Sequence, residues 1–172
     1  MVNTLRTIKC PACQKEMVKV FIPSRGIHLD ICLNGCGGIY FDNREFSYFD
    51  EQHEDIPDIE KELEGKKFIK VDESLPRSCP VCGANMVKNF SSLKREIKVD
   101  DCYSCGGKFL DYGELQKIRN EFKDDNERID HTMEVLRGTV GVELKALEAE
   151  TERLRNERSF FKKLFDKYVI GL

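Results

Sequence analysis

The sequence predicts an α+β protein: two small antiparallel sheets in tandem, each stapled by four cysteines, followed by a long helical C-terminal region. Three observations carry this. The eight cysteines fall into two sets of four with nearly the same spacing. Between the paired cysteines of each set, apolar residues alternate with the two-residue period of strands. From residue 111 onward the apolar period lengthens to that of a helix. With 34% charged residues, 9% aromatic residues and no Trp, a single large core is not expected. Small units of this kind need staples, and metals or disulfides supply them.

The repeat sets the element order. The first copy runs Cys10-Pro11-Ala12-Cys13, Met17, Cys32-Leu33-Asn34-Gly35-Cys36-Gly37-Gly38, Tyr40, Asp42 and Glu45. The second runs Cys79-Pro80-Val81-Cys82, Met86, Cys102-Tyr103-Ser104-Cys105-Gly106-Gly107, Phe109, Asp111 and Glu114. Two short cysteine knuckles about twenty residues apart can close a tetrahedron of thiolates around one ion. Cys10, Cys13, Cys32 and Cys36 are therefore the candidate ligands of one structural Zn²⁺, and Cys79, Cys82, Cys102 and Cys105 of a second. Gly37, Gly38, Gly83, Gly106 and Gly107 supply the backbone angles that knuckles require.

Between the knuckles, residues 17–22 and 27–31 read as a hairpin around the turn 23–26. Residues 85–90 and 96–99 take the same places around 91–95, and residues 39–41 and 108–110 add a third strand to each copy. Two separate three-stranded sheets are the expectation. Asp42 with Glu45, and Asp111 with Glu114, have the spacing of a helix capping box, which accounts for these carboxylates without acid–base chemistry.

At these residues the sequence resembles the transcription-factor-IIB-type zinc ribbon family of prokaryotic proteins. The resemblance covers about half the chain and is closest from Cys79 to Leu115. The first copy departs from it in three ways: an extra residue between Cys32 and Cys36, Gln14 where a Gly follows the knuckle, and Arg44 where a Gly precedes the Glu. Asn34-Gly35 is expected to absorb the extra residue in left-handed angles. Tyr40 and Phe109 stand where the family often has Trp. The resemblance implies zinc and a ribbon fold, and its name points towards nucleic acid or transcription machinery.

The predicted organisation is a first ribbon with a short helix over 1–50, an acidic linker over 51–77, a second ribbon over 78–115 and a helical region over 111–172. Within the linker, Pro57 starts a short helix through Leu63, with Ile59 and Leu63 on one face, and residues 67–71 alternate like a strand. In the helical region Leu115, Phe122, Ile129 and Leu136 recur every seven residues, and Val140, Leu147, Leu154, Phe161 and Tyr168 form a second series. The step from Leu136 to Val140 is either a stutter in one helix or a break at Gly138 and Gly141. The cost of two interior glycines, about 2 kcal/mol, favours the break and a helical hairpin. Residues 160–170 read as an amphipathic helix that docks on protein, with a membrane-surface helix as the alternative.

No stretch is apolar for the length of a bilayer, and residues 1–6 lack a signal-peptide core. The expected compartment is cytoplasmic, where paired cysteines serve metals rather than disulfides; a secreted disulfide scaffold is the rival. His28, His53 and His131 are isolated and not needed as ligands, and no nucleophile–base pair or phosphate loop is visible. A closed four-thiolate site has no open position for substrate, so no enzyme is expected. The expected function is a zinc-binding module that contacts nucleic acid or a transcription complex, with the C-terminal helices as an oligomerisation or partner arm. Lys15, Lys19, Arg25, Lys88, Lys94, Arg95 and Lys98, on or beside the hairpins, are the candidate nucleic-acid contacts. The net charge of −3 argues for the alternative, a protein-binding adaptor. A rubredoxin-like iron–tetrathiolate carrier is the third reading.

Overall fold

A computed structural model describes residues 6–51, 54 and 56–165. The chain divides into two compact units, Met1–Asp124 and Asp125–Leu172. The first unit contains β1 (Val18–Ile22), β2 (Ile27–Ile31), β3 (Ile39–Phe41), a 3-10 turn (Phe46–Tyr48) and α1 (Pro57–Leu63). It continues with β4 (Val87–Phe90), β5 (Lys98–Asp101), β6 (Lys108–Leu110) and α2 (Glu114–Arg119). The second unit is α3, a single helix over Asp125–Phe165.

The hairpins form where the alternation places them. β1 pairs antiparallel with β2, Val18 opposite Ile31 and Ile22 opposite Ile27, and Gly26 closes the turn at φ 66°. β4 pairs with β5 in the same manner, Val87 opposite Asp101 and Phe90 opposite Lys98. The expectation of two separate sheets does not hold. β3 pairs antiparallel with β6, so the copies fuse into one six-stranded sheet of order β1-β2-β3-β6-β5-β4. The physical reason is that the third strand would otherwise leave unpaired amides and carbonyls at an open edge.

One face of the sheet packs Val20, Ile22, Leu29, Ile31, Ile39, Phe41, Val99 and Leu110 against Phe49, against Ile59 and Leu63 of α1, and against Leu115 and Ile118 of α2. Each of the larger of these side chains contributes roughly 1.5–3 kcal/mol by burial. Tyr40 and Phe109, opposite each other across the β3–β6 seam, face away from this core and pack among the cysteines with Ile8, Met17 and Met86. The sheet therefore separates an apolar core from a thiol-rich layer.

α1 starts at Pro57 and buries Ile59 and Leu63, one turn apart, as their spacing predicts. Residues 67–71 are not a strand: the Ile69 amide donates to the Gly35 carbonyl at 3.0 Å and the Phe68 ring lies tilted against Tyr112, centroids 4.6 Å apart. A lone amide bond replaces a ladder because no strand lies beside them. The segment after Phe49 is less free than an acidic linker suggests. The Arg119 guanidinium donates to the carbonyls of Phe49, Glu51 and Glu54 and so ties it to α2.

The capping boxes form by half. The Glu45 carboxylate accepts from the Asp42 amide at 2.9 Å, and Glu114 accepts from the Asp111 amide at 2.7 Å. Neither Asp side chain caps. α2 starts from Gly113 at φ 85°, and only a 3-10 turn follows Glu45. Asp111 is instead drawn to Arg77, 2.9 Å away.

The heptad series through Leu115, Phe122, Ile129 and Leu136 does not lie on one helix. α2 ends at Arg119, and Leu115 and Phe122 are buried within the first unit, whereas Ile129 and Leu136 are exposed on α3. Nor does the chain break at Gly138 and Gly141. α3 continues through both for 41 residues, about 60 Å. Gly138 and Gly141 lie among the β-branched Thr139, Val140 and Val142, so local propensity does not account for the continuity, and burial of the apolar stripe of α3 is the source of helix stability left to it. Among the described residues no helix is long and apolar enough to cross a membrane. The amphipathic reading of residues 160–170 and the reading of His53 lie, except for Phe160, outside the described side chains.

Candidate metal centres

Each knuckle is a tight backbone turn closed by amide-to-carbonyl bonds. In the first copy the Gln14 amide donates to the Cys10 carbonyl at 2.9 Å and the Cys10 amide to the Lys15 carbonyl at 2.8 Å. In the second copy Gly83 and Cys79 make the same pair, to Cys79 and Ala84, at 2.9 and 2.8 Å. The second knuckles repeat the pattern: Cys32 donates to Gly38 at 2.9 Å and Cys102 to Gly107 at 2.8 Å. Gly83, Gly37 and Gly106 take φ of 77°, 76° and 78°, as their places demand. Gln14 and Arg44, which replace glycines, are forced to φ 63° and 72°, at roughly 1–2 kcal/mol each.

The extra residue of the first copy is absorbed differently from expectation. Neither Asn34 nor Gly35 has a positive φ. Gly35 is needed for room: a Cβ there would meet the Cys32 Sγ at 2.6 Å and the Cys13 Sγ at 2.7 Å.

These turns gather the sulfurs into two groups, Cys10, Cys13, Cys32 and Cys36, and Cys79, Cys82, Cys102 and Cys105, with all Sγ atoms of a group within 4.8 Å of one another. The closest approaches are Cys10–Cys36 and Cys13–Cys32 at 3.4 Å in the first, and Cys79–Cys105 at 3.5 Å and Cys82–Cys102 at 3.4 Å in the second. These are too long for a disulfide. They suit a tetrahedron with Zn–S bonds of ≈ 2.3 Å, whose edges are about 3.8 Å. The donor set fits two structural Zn²⁺ ions, and all four positions of each are filled by protein.

The centres differ in their surroundings. Cys10, Cys32 and Cys36 are buried and Cys13 half-buried, whereas in the second centre Cys82 is exposed. The Ala84 amide beside Cys82, helped by the Cys102 thiol, lowers the Cys82 thiol to about 6. The Tyr40 hydroxyl lies 3.3 Å from the Cys79 Sγ and 3.7 Å from the Cys105 Sγ. Burial, and then these two sulfurs, push the Tyr40 phenol far above its ordinary pKa, so it keeps its proton. Tyr40 is legible in the sequence only as a ring at a position the repeat marks; that it belongs to the other copy's centre depends on the β3–β6 pairing.

Arg77 was also not apparent from the sequence. Almost fully buried, it reaches Asp100 at 2.8 Å and Asp111 at 2.9 Å and sits over the Phe109 ring at 5.0 Å. The first copy has Ile8 at the same place, each giving its carbonyl to the Met amide that follows the knuckle. Glu73, Asp111 and Glu114 also gather, and of these Asp111 is already paired with the Arg77 guanidinium.

Of the seven candidate nucleic-acid contacts, five have ion-pair or hydrogen-bond partners within the protein. Lys19 pairs with Asp30 at 2.9 Å, Lys88 with Asp100 at 3.0 Å and Arg25 with Glu54 at 3.5 Å. Lys15 donates to the Asn34 carbonyl and Lys94 to the Glu121 carbonyl. Arg95 and Lys98 flank the exposed Phe90 ring at 5.4 and 5.0 Å.

No curated protein and no solved structure matches the chain. Residues 9–48 and 78–121 match the zinc ribbon family described as transcription factor zinc-finger, a family that is typically non-catalytic. Both matches frame a complete four-cysteine centre. By them the chain belongs to the transcription-factor-IIB-type zinc ribbon family, as two tandem copies that together span about half its length.

Proposed function

We propose that this chain is a non-enzymatic, cytoplasmic zinc-binding protein that acts by association, its long helix α3 forming a coiled coil with the same helix of a second copy. The observation that carries this reading is the apolar seam of α3. Ile129, Met133, Leu136, Val140, Leu147 and Leu154 recur at spacings of three, four and seven residues, each at least 44% exposed. An isolated helix of this composition gains little stability from propensity alone, and most helical stability in proteins comes from burying such a stripe. With α3 continuous, the four-residue step from Leu136 to Val140 is an ordinary step of one heptad register, in which Met133, Val140, Leu147 and Leu154 recur every seven residues and Ile129 and Leu136 alternate with them. The closed four-thiolate centres support a structural rather than catalytic role for the metal.

Sedimentation equilibrium of the zinc-loaded full chain tests this. A dimer that Leu147→Glu with Leu154→Glu converts to monomer supports the reading; a monomer at all concentrations sinks it.

A second reading, nucleic-acid contact, rests on Phe90 between Arg95 and Lys98, a ring and two cations that suit a stacked base and its phosphates. Fluorescence anisotropy with single- and double-stranded DNA and RNA at two salt concentrations tests it. Binding that weakens steeply with salt and is lost in Phe90→Ala supports it. No binding at low salt removes it.

A further inference from the structure

We infer that Tyr40, carried by the first ribbon, is a hydrogen-bond donor to the metal centre of the second, so that the two centres are chemically unequal and the second holds its metal fully only on a folded first ribbon.

The β3–β6 register sets this up. Tyr40 and Phe109 are directly opposed across the seam, and each ring leans onto the glycine that ends the other copy's second knuckle. A Cβ on Gly107 would lie 1.9 Å from the Tyr40 Oη, and one on Gly38 would lie 2.3 Å from the Phe109 Cζ. The packing is thus nearly symmetric, and glycine is required on both sides. The chemistry is not symmetric. Tyr40 brings a hydroxyl to Cys79 and Cys105, the first residue of one knuckle and the last of the other. Phe109, in the mirrored place, brings none to the sulfurs of the first centre.

At 1% exposure Tyr40 has no room for bulk water, and the acceptors in reach of its hydroxyl are the two sulfurs. In a metal-loaded centre those sulfurs are thiolates, which only accept, and the centre carries a net charge of about −2 that a donated proton offsets. The hydroxyl therefore favours the loaded state. Outer partners of this kind are typically worth about 10–100-fold in metal affinity. Tyr40 touches no metal; it acts through Cys79 and Cys105 as a positioning residue.

The test uses the full chain loaded with ¹¹³Cd, which gives one resonance for each four-thiolate centre. Tyr40→Phe keeps the ring and removes only the hydroxyl. The expected result is that one resonance moves while the other stays, and that the moved one is lost to a competing chelator at about tenfold lower concentration than in the parent. Unmoved resonances with an unchanged order of loss overturn the proposal. A measurement on the unsubstituted protein guards against a variant that misfolds: a scalar coupling from the Tyr40 hydroxyl proton to ¹¹³Cd across the O–H···S bond. Its presence supports the assignment, and its absence from a spectrum in which that proton is observed overturns it.

Discussion

Arg77 stands where the first copy has Ile8, and the exchange of an apolar side chain for a guanidinium changes the local energetics. Its side chain is 2% exposed, between Asp100 at 2.8 Å and Asp111 at 2.9 Å. Lys88 also serves Asp100, at 3.0 Å, so Asp111 depends most on Arg77. Arg77→Ile, copying the first ribbon, is expected to cost about 3–5 kcal/mol, because it leaves a buried carboxylate uncompensated. Adding Asp111→Asn should recover most of that loss in urea denaturation of the zinc-loaded protein.

Glu114 gives a pH dependence of the opposite sign to that of an ordinary paired carboxylate. Burial first, and then the Asp111 and Glu73 charges, raise it from 4.5 to about 7, although the Asp111 amide bond works the other way. Because the folded value lies above the unfolded one, the native state binds the extra proton between those values. The associated stability is present below about pH 4.5 and is lost as pH rises through about 7. Glu114→Gln keeps the acceptor for the Asp111 amide and removes the titration. The Gln variant should match the parent near pH 4 and exceed it by up to about 3 kcal/mol at pH 8, read as the difference between their denaturation midpoints at each pH.

Helix α3 shows where composition misleads. Gly138 and Gly141 look like a break because each costs close to 1 kcal/mol in a helix, yet neither sits where a Cβ would meet any atom within 4 Å. Replacing each with Ala should raise thermal stability, by about 1 kcal/mol per site, monitored as helical circular dichroism. A hinge at these glycines would give no gain. The strands of the ribbons were legible almost to the residue, since β3 and β6 fall on 39–41 and 108–110. Alternation is a local signal and short strands between fixed cysteines have little freedom. The ends of α2 and the run at 67–71 were not legible, because each depends on a partner distant in sequence: the Arg77 pull on Asp111, and the Gly35 carbonyl that takes the Ile69 amide.

The same distinction governs the assembled ribbons. The eight ligand cysteines were readable from spacing alone, for tetrahedral coordination demands that spacing. The fusion of the copies was not, because nothing in a three-residue apolar strand says which other strand it will meet. One consequence is thermodynamic. Both ribbons share a sheet and a core cluster, so a protein stripped of both metals should keep neither half of the sheet, followed by the amide resonances of β1 to β6. Each ion supplies on the order of 10–16 kcal/mol of the folding free energy that is then withdrawn.

The β3–β6 seam also says what a single copy would lack. A lone ribbon would end in an open edge of three residues, with a bulky ring beside it and a narrow glycine-lined slot waiting for another. Both are self-complementary, as in a twofold interface between identical subunits. Tandem duplication has tethered that interface within one polypeptide, where the connecting segment holds the halves at an effective concentration in the millimolar range. A polypeptide cut down to one copy would therefore find its missing half in another molecule, and its fold would become a function of how much of it is present.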